Sequence, residues 1–290
     1  MASADRPLSL VSRMTQSQTP SQSPTQAEAV SEFFGVGAGS YADRHYRDGR
    51  HTFISDRFRV VMAEIEALHL DRNAVVADIA CGPGFVLEGI ASKGLTPIGL
   101  DGSADMLRVA RARVGLRVPL IQGDARHLPF PDDSLNLLVS TGLLEYLPDP
   151  VEVLREFHRV LVPGGTAIVS STNRRSPAFA LAPIEDWART SATARKVANA
   201  LHLEVPESAW KPREFEFHFL TAAELASVAR SAGFSDPRVE RYHFQLLPHP
   251  ADRVAPSVAS WSARALNPLC SVPLLRELSE GLLVVGRKSS

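Results

Sequence analysis

Between residues 75 and 171 one pattern repeats: a short apolar run that closes on an acid or a small-residue turn, with helical periodicity between runs. The runs lie at 75–80, 96–100, 118–122, 135–141 and 166–171, and the helical stretches at 85–93, 103–114 and 150–161. Strands that alternate with helices pair in parallel through right-handed crossovers, so the stretch predicts a doubly wound α/β sheet. Local signals sharpen the boundaries. Ser103 is a helix N-cap, Gly94 a helix stop, and Pro163-Gly164-Gly165 a turn into the fifth strand. Before the pattern, residues 53–70 carry Phe58, Val61, Met62, Ile65 and Leu68 at helical spacing, which predicts an amphipathic helix. After it come a helix at 221–231, a sixth strand at 238–244 and a closing strand at 282–286.

Composition excludes several classes of function. The 31 basic and 32 acidic residues leave a net charge of −1, against the basic excess of a nucleic-acid-binding chain. No run approaches the roughly 18 apolar residues of a spanning helix. Only Cys81 and Cys270 are present, too few for a disulfide framework, and a reducing cytoplasmic setting is expected. The arginine-rich basic set, with only four lysines, reads as codon bias. Residues 1–27, rich in Ser, Thr, Gln and Pro, read as a disordered tail without the apolar core of a secretory signal. The expected organisation is a helical lid at 28–72, a core at 73–173, a cap insertion at 174–219, and a C-terminal part of the sheet at 220–290 with a second insertion at 245–279.

Chemistry concentrates at the ends of the first strands. Gly82 and Gly84 allow a tight turn and close backbone approach at a helix N-terminus. Asp78 lies inside the first strand, Asp101 ends the second, and Asp124 follows the third. Three acids at successive strand ends line one crevice.

The stretch Asp78-Ile79-Ala80-Cys81-Gly82-Pro83-Gly84 resembles the first motif of class I S-adenosylmethionine-dependent methyltransferases. The resemblance continues in order through Gly99 to Leu107, Gly123-Asp124-Ala125, Leu143 to Pro150 and Arg159 to Gly165. It covers about residues 73–172 and is most like the subgroup acting on quinones and natural products. It implies a Rossmann-like sheet of seven strands, the last hairpin antiparallel, capped by a helical lid and insertions. It also implies S-adenosylmethionine as cofactor. Asp78 and the backbone of Ala80, Cys81, Gly82 and Gly84 would hold its amino-acid end. Asp101, with Gly102 beside it, would accept from the ribose hydroxyls, and Met106 would pack near the adenine. Asp124 would meet the adenine amino group with Ala125 beside it, and Thr141 and Leu143 would floor the site near the sulfonium. Tyr41 and Tyr46 would close over the cofactor from the lid. Ala80 departs from the glycine usual at its position.

The charges agree with this ligand, which has hydroxyls, an ammonium and a sulfonium but no phosphate. A dinucleotide site would carry a third glycine or alanine where this chain has Leu87. Glu145 and Tyr146, just past the fourth strand, and His218, beside the first insertion, are the candidate catalytic side chains. Their alternatives are a helix-start acid for Glu145, a packed aromatic for Tyr146 and a surface or half-buried residue for His218. His127 reads as a loop residue, and His243 and His249, like His218, flank the insertions and could enter the pocket, with a surface or half-buried place as the commoner reading. Cys81 is expected to serve by size, and no metal site is expected. The apolar segment 254–278, with Trp261, Leu266, Leu269, Val272, Leu274, Leu275 and Leu278, is expected to pack into the core. The wall of an apolar substrate pocket, a dimer face and membrane docking are its alternatives. The expected function is methylation of a small, apolar metabolite, at oxygen first and at carbon of a quinone or polyketide as the alternative. A binding module without catalysis is a further alternative. The partners expected are a small methyl acceptor and no nucleic acid, with the chain a monomer or homodimer.

Overall fold

A computed structural model describes residues 30, 52–180, 191–200, 216–244 and 256–289. Tyr41, Tyr46 and His249 lie outside them.

The sheet has seven strands in the order β3-β2-β1-β4-β5-β7-β6. They are β1 Val76–Ile79, β2 Pro97–Asp101, β3 Leu120–Gln122, β4 Leu135–Ser140, β5 Leu161–Thr172, β6 Ser235–Tyr242 and β7 Gly281–Arg287. The first five pair in parallel, and β7 runs antiparallel to both β5 and β6. The expected doubly wound sheet with an antiparallel end is thus the observed one. Strand order reverses at β1, with β2 on one side and β4 on the other, which creates a crevice at the carboxyl ends of these strands.

The helices form for local reasons. α1 (Phe53–Ala67) starts with a capping box in which Thr52 and Ser55 exchange side-chain and backbone bonds. α2 (Phe85–Ser92) follows the glycine turn, and α3 (Ala104–Val114) is capped by Ser103 as expected. α4 (Pro150–Val160) begins with Asp149 as cap and proline in its first turn, and buries Val153, Leu154, Phe157 and Val160. α5 (Pro177–Ala180) and α6 (Ala192–Ala200) are short, and α7 (Ala222–Ser231) has a Thr221–Glu224 capping box. α8 (Pro256–Leu266) precedes two 3-10 turns, Asn267–Ser271 and Arg276–Leu278.

The two faces of the sheet carry separate cores. One packs Ile79, Leu138, Val169 and Leu282 against Leu154, Phe157 and Leu225. The other packs Val76, Val139, Ile168, Tyr242 and Leu283 against Val61 and Ile65 of α1. At ~2 kcal/mol for each large aliphatic side chain buried, these two layers hold the fold.

Three expectations shift. The sixth strand starts at Ser235 rather than 238 and ends at Tyr242. A register shift between Ser235 and Arg238 lets Pro237, which has no N–H to donate, sit in this edge strand. β5 begins at Leu161, immediately after α4. Four residues, 162–165, bulge where β4 spends one, because Leu135 pairs with Leu161 and Leu137 with Thr166. The segment 254–278 does not pack wholly into the core. Trp261 is 72% exposed and Leu274 87%, while Val272, Leu275 and Leu278 are also exposed. Pro268 and Pro273 break the helix into short turns, so the apolar residues never share one face.

Candidate functional site

β1 carries the first acid one residue before its end. Asp78 is 1% exposed, and neither carboxylate oxygen has a hydrogen-bond partner among the described residues. Burial, with Asp101 as a second negative charge, pushes its carboxyl well above the usual range, against the pull of Arg57. Such a group is costly unless a ligand completes it. Beyond it Ala80 takes φ 57°, a left-handed conformation that suits the glycine usual in the resembling motif. Gly82 also has positive φ, and no described residue lies within 4 Å of where its Cβ would be. Cys81 points the other way. Its sulfur would lie 3.1 Å from a Cβ at Gly99, and burial raises its thiol pKa far above the ordinary value, so it serves by size.

Asp101 at the end of β2 fixes two neighbouring turns. Its Oδ2 accepts from Gly82 N at 2.8 Å and its Oδ1 from Ser103 N at 2.8 Å. Burial raises its pKa and these two bonds pull it down. Each oxygen keeps a lone pair for a further donor. Next to it Gly102 O accepts from Gln122, and Met106 is buried with its N–H bonded to the Ser103 hydroxyl. Asp124, after β3, is folded onto Arg126, whose Nη2 stands 2.6 Å from Oδ2 and whose backbone N–H donates to Oδ1. Burial would raise the Asp124 carboxyl, but Arg126 holds it below the usual range. The sequence reading missed this arginine, two residues from the acid. Ala125 is buried behind it.

The other half of the crevice belongs to β4 and β5. Thr141 and Leu143 are half-buried around Gly142, whose N–H donates to Ser170 Oγ at 2.9 Å. Leu144–Tyr146 then forms a 3-10 turn, which buries Glu145 to 5% exposure. Glu145 Oε1 accepts from Thr172 Oγ1 at 2.7 Å, and Oε2 has no partner among the described residues. Burial raises its pKa, against the Thr172 bond and the charge of Arg57. His218 N donates to Glu145 O at 2.8 Å, so the structure brings all three catalytic candidates together. Tyr146 meets Phe217 at 5.3 Å, and Phe217 stacks on Phe219 at 5.4 Å, which forms an aromatic wall beside Glu145.

His243 corrects its expectation. It is 1% exposed with φ 57°, and its Nδ1 donates to Asp56 Oδ2 at 2.7 Å while Nε2 faces Glu280 at 3.6 Å. Its partner lies 187 residues away, a pairing that no local pattern announces. Arg57 was missed as well, although a signal existed. It stands four residues before Val61, a charge on the apolar stripe of its helix. His127 is exposed, as expected. Among the described residues no group of three His, Cys, Asp or Glu side chains is placed to hold a metal. No helix among them is long and apolar enough to cross a membrane.

The donor set suits S-adenosylmethionine. An orphaned buried carboxylate fits an ammonium, and Asp101 fits paired hydroxyls. Comparison with known proteins agrees. Residues 77–169 match the model of a methyltransferase domain. The chain is 31% identical over 185 residues to a demethylmenaquinone methyltransferase of Lactiplantibacillus plantarum, covering 61% of this chain and 77% of that one. Over 102 residues it is 43% identical to the chloroplastic 2-methyl-6-phytyl-1,4-hydroquinone methyltransferase of Spinacia oleracea, covering 33% of this chain and 29% of that one. In fold it resembles the crystal structure of an S-adenosylmethionine-dependent methyltransferase from Thermotoga maritima, with TM-score 0.54 and 18% identity over 91% of this chain and all of that one. The strand order, the acids at the strand ends and these relatives lead to one conclusion: the chain belongs to the class I S-adenosylmethionine-dependent methyltransferases, with S-adenosylmethionine as methyl donor.

Proposed function

We propose that the chain methylates a ring carbon of a small, hydroquinone-type aromatic acceptor. The observation that carries this is the pair of relatives named for demethylmenaquinone and for a phytyl hydroquinone, both aromatic rings with an apolar tail. They favour carbon over the oxygen expected from the sequence. The aromatic wall of Tyr146, Phe217 and Phe219 supports a flat acceptor, since rings stack in offset or tilted pairs at such distances.

When bound, the cofactor supplies an electrophilic methyl group on a cationic sulfonium. The chain's own residues do the rest. Asp78 and the turn Ala80-Cys81-Gly82 with Gly84 hold the amino-acid end, and Asp101 with Gly102 holds the ribose hydroxyls. Met106, Ala125 and Asp124 would border the adenine, with Asp124 held by Arg126. Thr141 and Leu143 would floor the site. Glu145 takes the acceptor's hydroxyl proton on Oε2, which loads electron density onto the adjacent ring carbons, and the carbon that gains the methyl then releases its own hydrogen as a proton to water so that the ring regains aromaticity. A buried carboxyl with a raised pKa is a better base near neutrality than an exposed one. Tyr146 stacks on the ring, and His218, whose backbone bonds that of Glu145, orients it. The lid at 28–72 and the insertions at 174–219 and 245–279 select the acceptor.

The test is product analysis with methyl-13C S-adenosylmethionine and a panel of hydroquinones, naphthoquinols, phenols and polyketides. A carbon-bound methyl resonance supports the reading, and an oxygen-bound one overturns it in favour of O-methylation. Turnover with none of the panel, by a protein that binds S-adenosylhomocysteine, favours the binding module. Glu145→Gln is expected to lower kcat about a hundredfold and leave cofactor affinity unchanged.

A further inference from the structure

Between α8 and β7 the chain holds apolar side chains outward while its backbone is fastened from inside. Val272, Leu274, Leu275 and Leu278 are exposed within a short stretch, and Leu274 is the most exposed of them, at 87%. Just before the first 3-10 turn, α8 presents Trp261, Arg264 and Ala265 to solvent at helical spacing. Two asparagines hold this loop to the scaffold. Asn173, just past β5, donates through Nδ2 to Glu277 O at 2.9 Å and to Ser279 O at 2.7 Å. Asn267 donates through Nδ2 to Asp56 Oδ2 at 2.8 Å and accepts from Phe244 N on Oδ1 at 2.9 Å. The loop is therefore a built feature that carries its leucines into water, not a frayed end.

The charge around these leucines has one sign. From Pro256 to Ser279 the sequence holds a single acid, Glu277. Arg241 Nη2 stands 2.6 Å from its carboxylate, and Arg175 and Arg276 each stand 3.8 Å from it. Three guanidiniums thus share one carboxylate, and the exposed Arg264 adds a further positive charge on α8. A second copy of the chain, docked through this surface about a two-fold axis, would set the same cations against themselves. An anionic bilayer answers both features. Its phosphates take guanidiniums and its acyl chains take leucines, with tryptophan favoured at the boundary between them. We propose that the loop 267–278, with Trp261 and Arg264 of α8, seats the chain on an anionic phospholipid surface. Leu274 and Leu275 enter the acyl region, and Arg175, Arg264 and Arg276 meet the headgroup phosphates. In this mode the chain lies on the bilayer rather than across it. The inference goes beyond the acceptor reading above, since docking needs neither cofactor nor acceptor.

Co-sedimentation of the full chain with lipid vesicles tests this. Vesicles of phosphatidylglycerol and phosphatidylcholine in equal parts are compared with phosphatidylcholine alone. The anionic vesicles are expected to bind about tenfold more tightly, and added sodium chloride should remove that gain. Arg264→Gln combined with Arg276→Gln should remove it as well. Leu274→Glu is expected to weaken binding to the anionic vesicles about a hundredfold and Trp261→Ala about tenfold. Both should keep the wild-type melting temperature, because the side chains they replace are exposed. Leu116 supplies the control. It is 90% exposed between α3 and β3, at the opposite end of the strand order from β7 and β6, and Leu116→Glu should leave binding unchanged. Should Leu274→Glu not fold, Trp261→Ala carries the same comparison. No binding to either kind of vesicle overturns the proposal, as does binding that the loop variants and Leu116→Glu weaken alike. A dimer in sedimentation equilibrium that Leu274→Glu dissociates also overturns it, for the surface then belongs to a second copy of the chain.

Discussion

Two buried aspartates stand on the same side of the sheet and differ in everything else. Asp56, in the first turn of α1, is 3% exposed and accepts from His243 and Asn267 on one oxygen while Arg59 engages the other. Burial pushes its carboxyl up, but the bonds from His243 and Asn267 and the charges of His243 and Arg59 outweigh it and hold the pKa below the ordinary value. Asp78 is at least as buried and has no such partners among the described residues. Its carboxyl is pushed well up. The fold saturates one acid and leaves the other without a partner among the described residues, which fits a scaffold role for the first and the proposed ligand role for the second.

That contrast can be broken in several ways. The largest expected effect is on the scaffold. Asp56→Ala strands His243 and Asn267 in a buried position, and urea unfolding should show a loss of about 3–5 kcal/mol. The pH dependence follows from the sign. With its folded pKa depressed, Asp56 contributes stability that is present above the unfolded value, near 3.8, and lost as pH falls through the folded one. The variant should lose that acid-side slope. A smaller effect is expected at the site. Asp78→Ala should weaken S-adenosylhomocysteine about a hundredfold in calorimetry, roughly 2.7 kcal/mol, without lowering the melting temperature. Its linkage has the opposite sign. The folded pKa is raised, so the stability Asp78 contributes is present below the unfolded value and lost as pH rises through the folded one. Unfolding measured on the two variants from acid to neutral pH should show opposite changes of slope, and parallel changes would erase the distinction.

Gly142→Ala probes the seam between the two halves. It places a methyl against the Arg57 guanidinium at a φ of +72°, and should cost about 1–2 kcal/mol in thermal unfolding. The smallest effect is at the turn. Ala80→Gly relieves a left-handed alanine but frees the unfolded chain, and the two terms nearly cancel. A stability change under about 1 kcal/mol is expected, with S-adenosylhomocysteine affinity kept.

The turn after the first strand was largely legible because its parts are local. Asp78, Gly82 and Gly84 sit within seven residues, and the turn geometry follows from the glycines themselves. Ser103 was read as a cap and is one, because a cap is decided within three residues. The acceptor half was less so. Glu145, Tyr146 and His218 were picked singly, yet nothing in their spacing says that His218 N would bond Glu145 O, or that Thr172 would hold the Glu145 carboxylate. The exposed residues of 254–278 were misread for a related reason. Apolar periodicity says that a face exists, but the prolines at 268 and 273 decide whether it stays in one piece.

By itself, then, the sequence determined the alternation of strand and helix, the parallel sheet, the crevice at its carboxyl edge and the three acids that line it. Each of these follows from periodicity, turn chemistry or residue type within a few positions. Only the tertiary structure decided which acids were paid partners of the scaffold and which were left bare. Asp56 and His243 meet across 187 residues, and Arg57 reaches Gly142 only because α1 packs on the sheet. Such pairings depend on where distant segments are brought by the burial of apolar faces, and the code for that is spread over the whole chain rather than written beside the residues it joins.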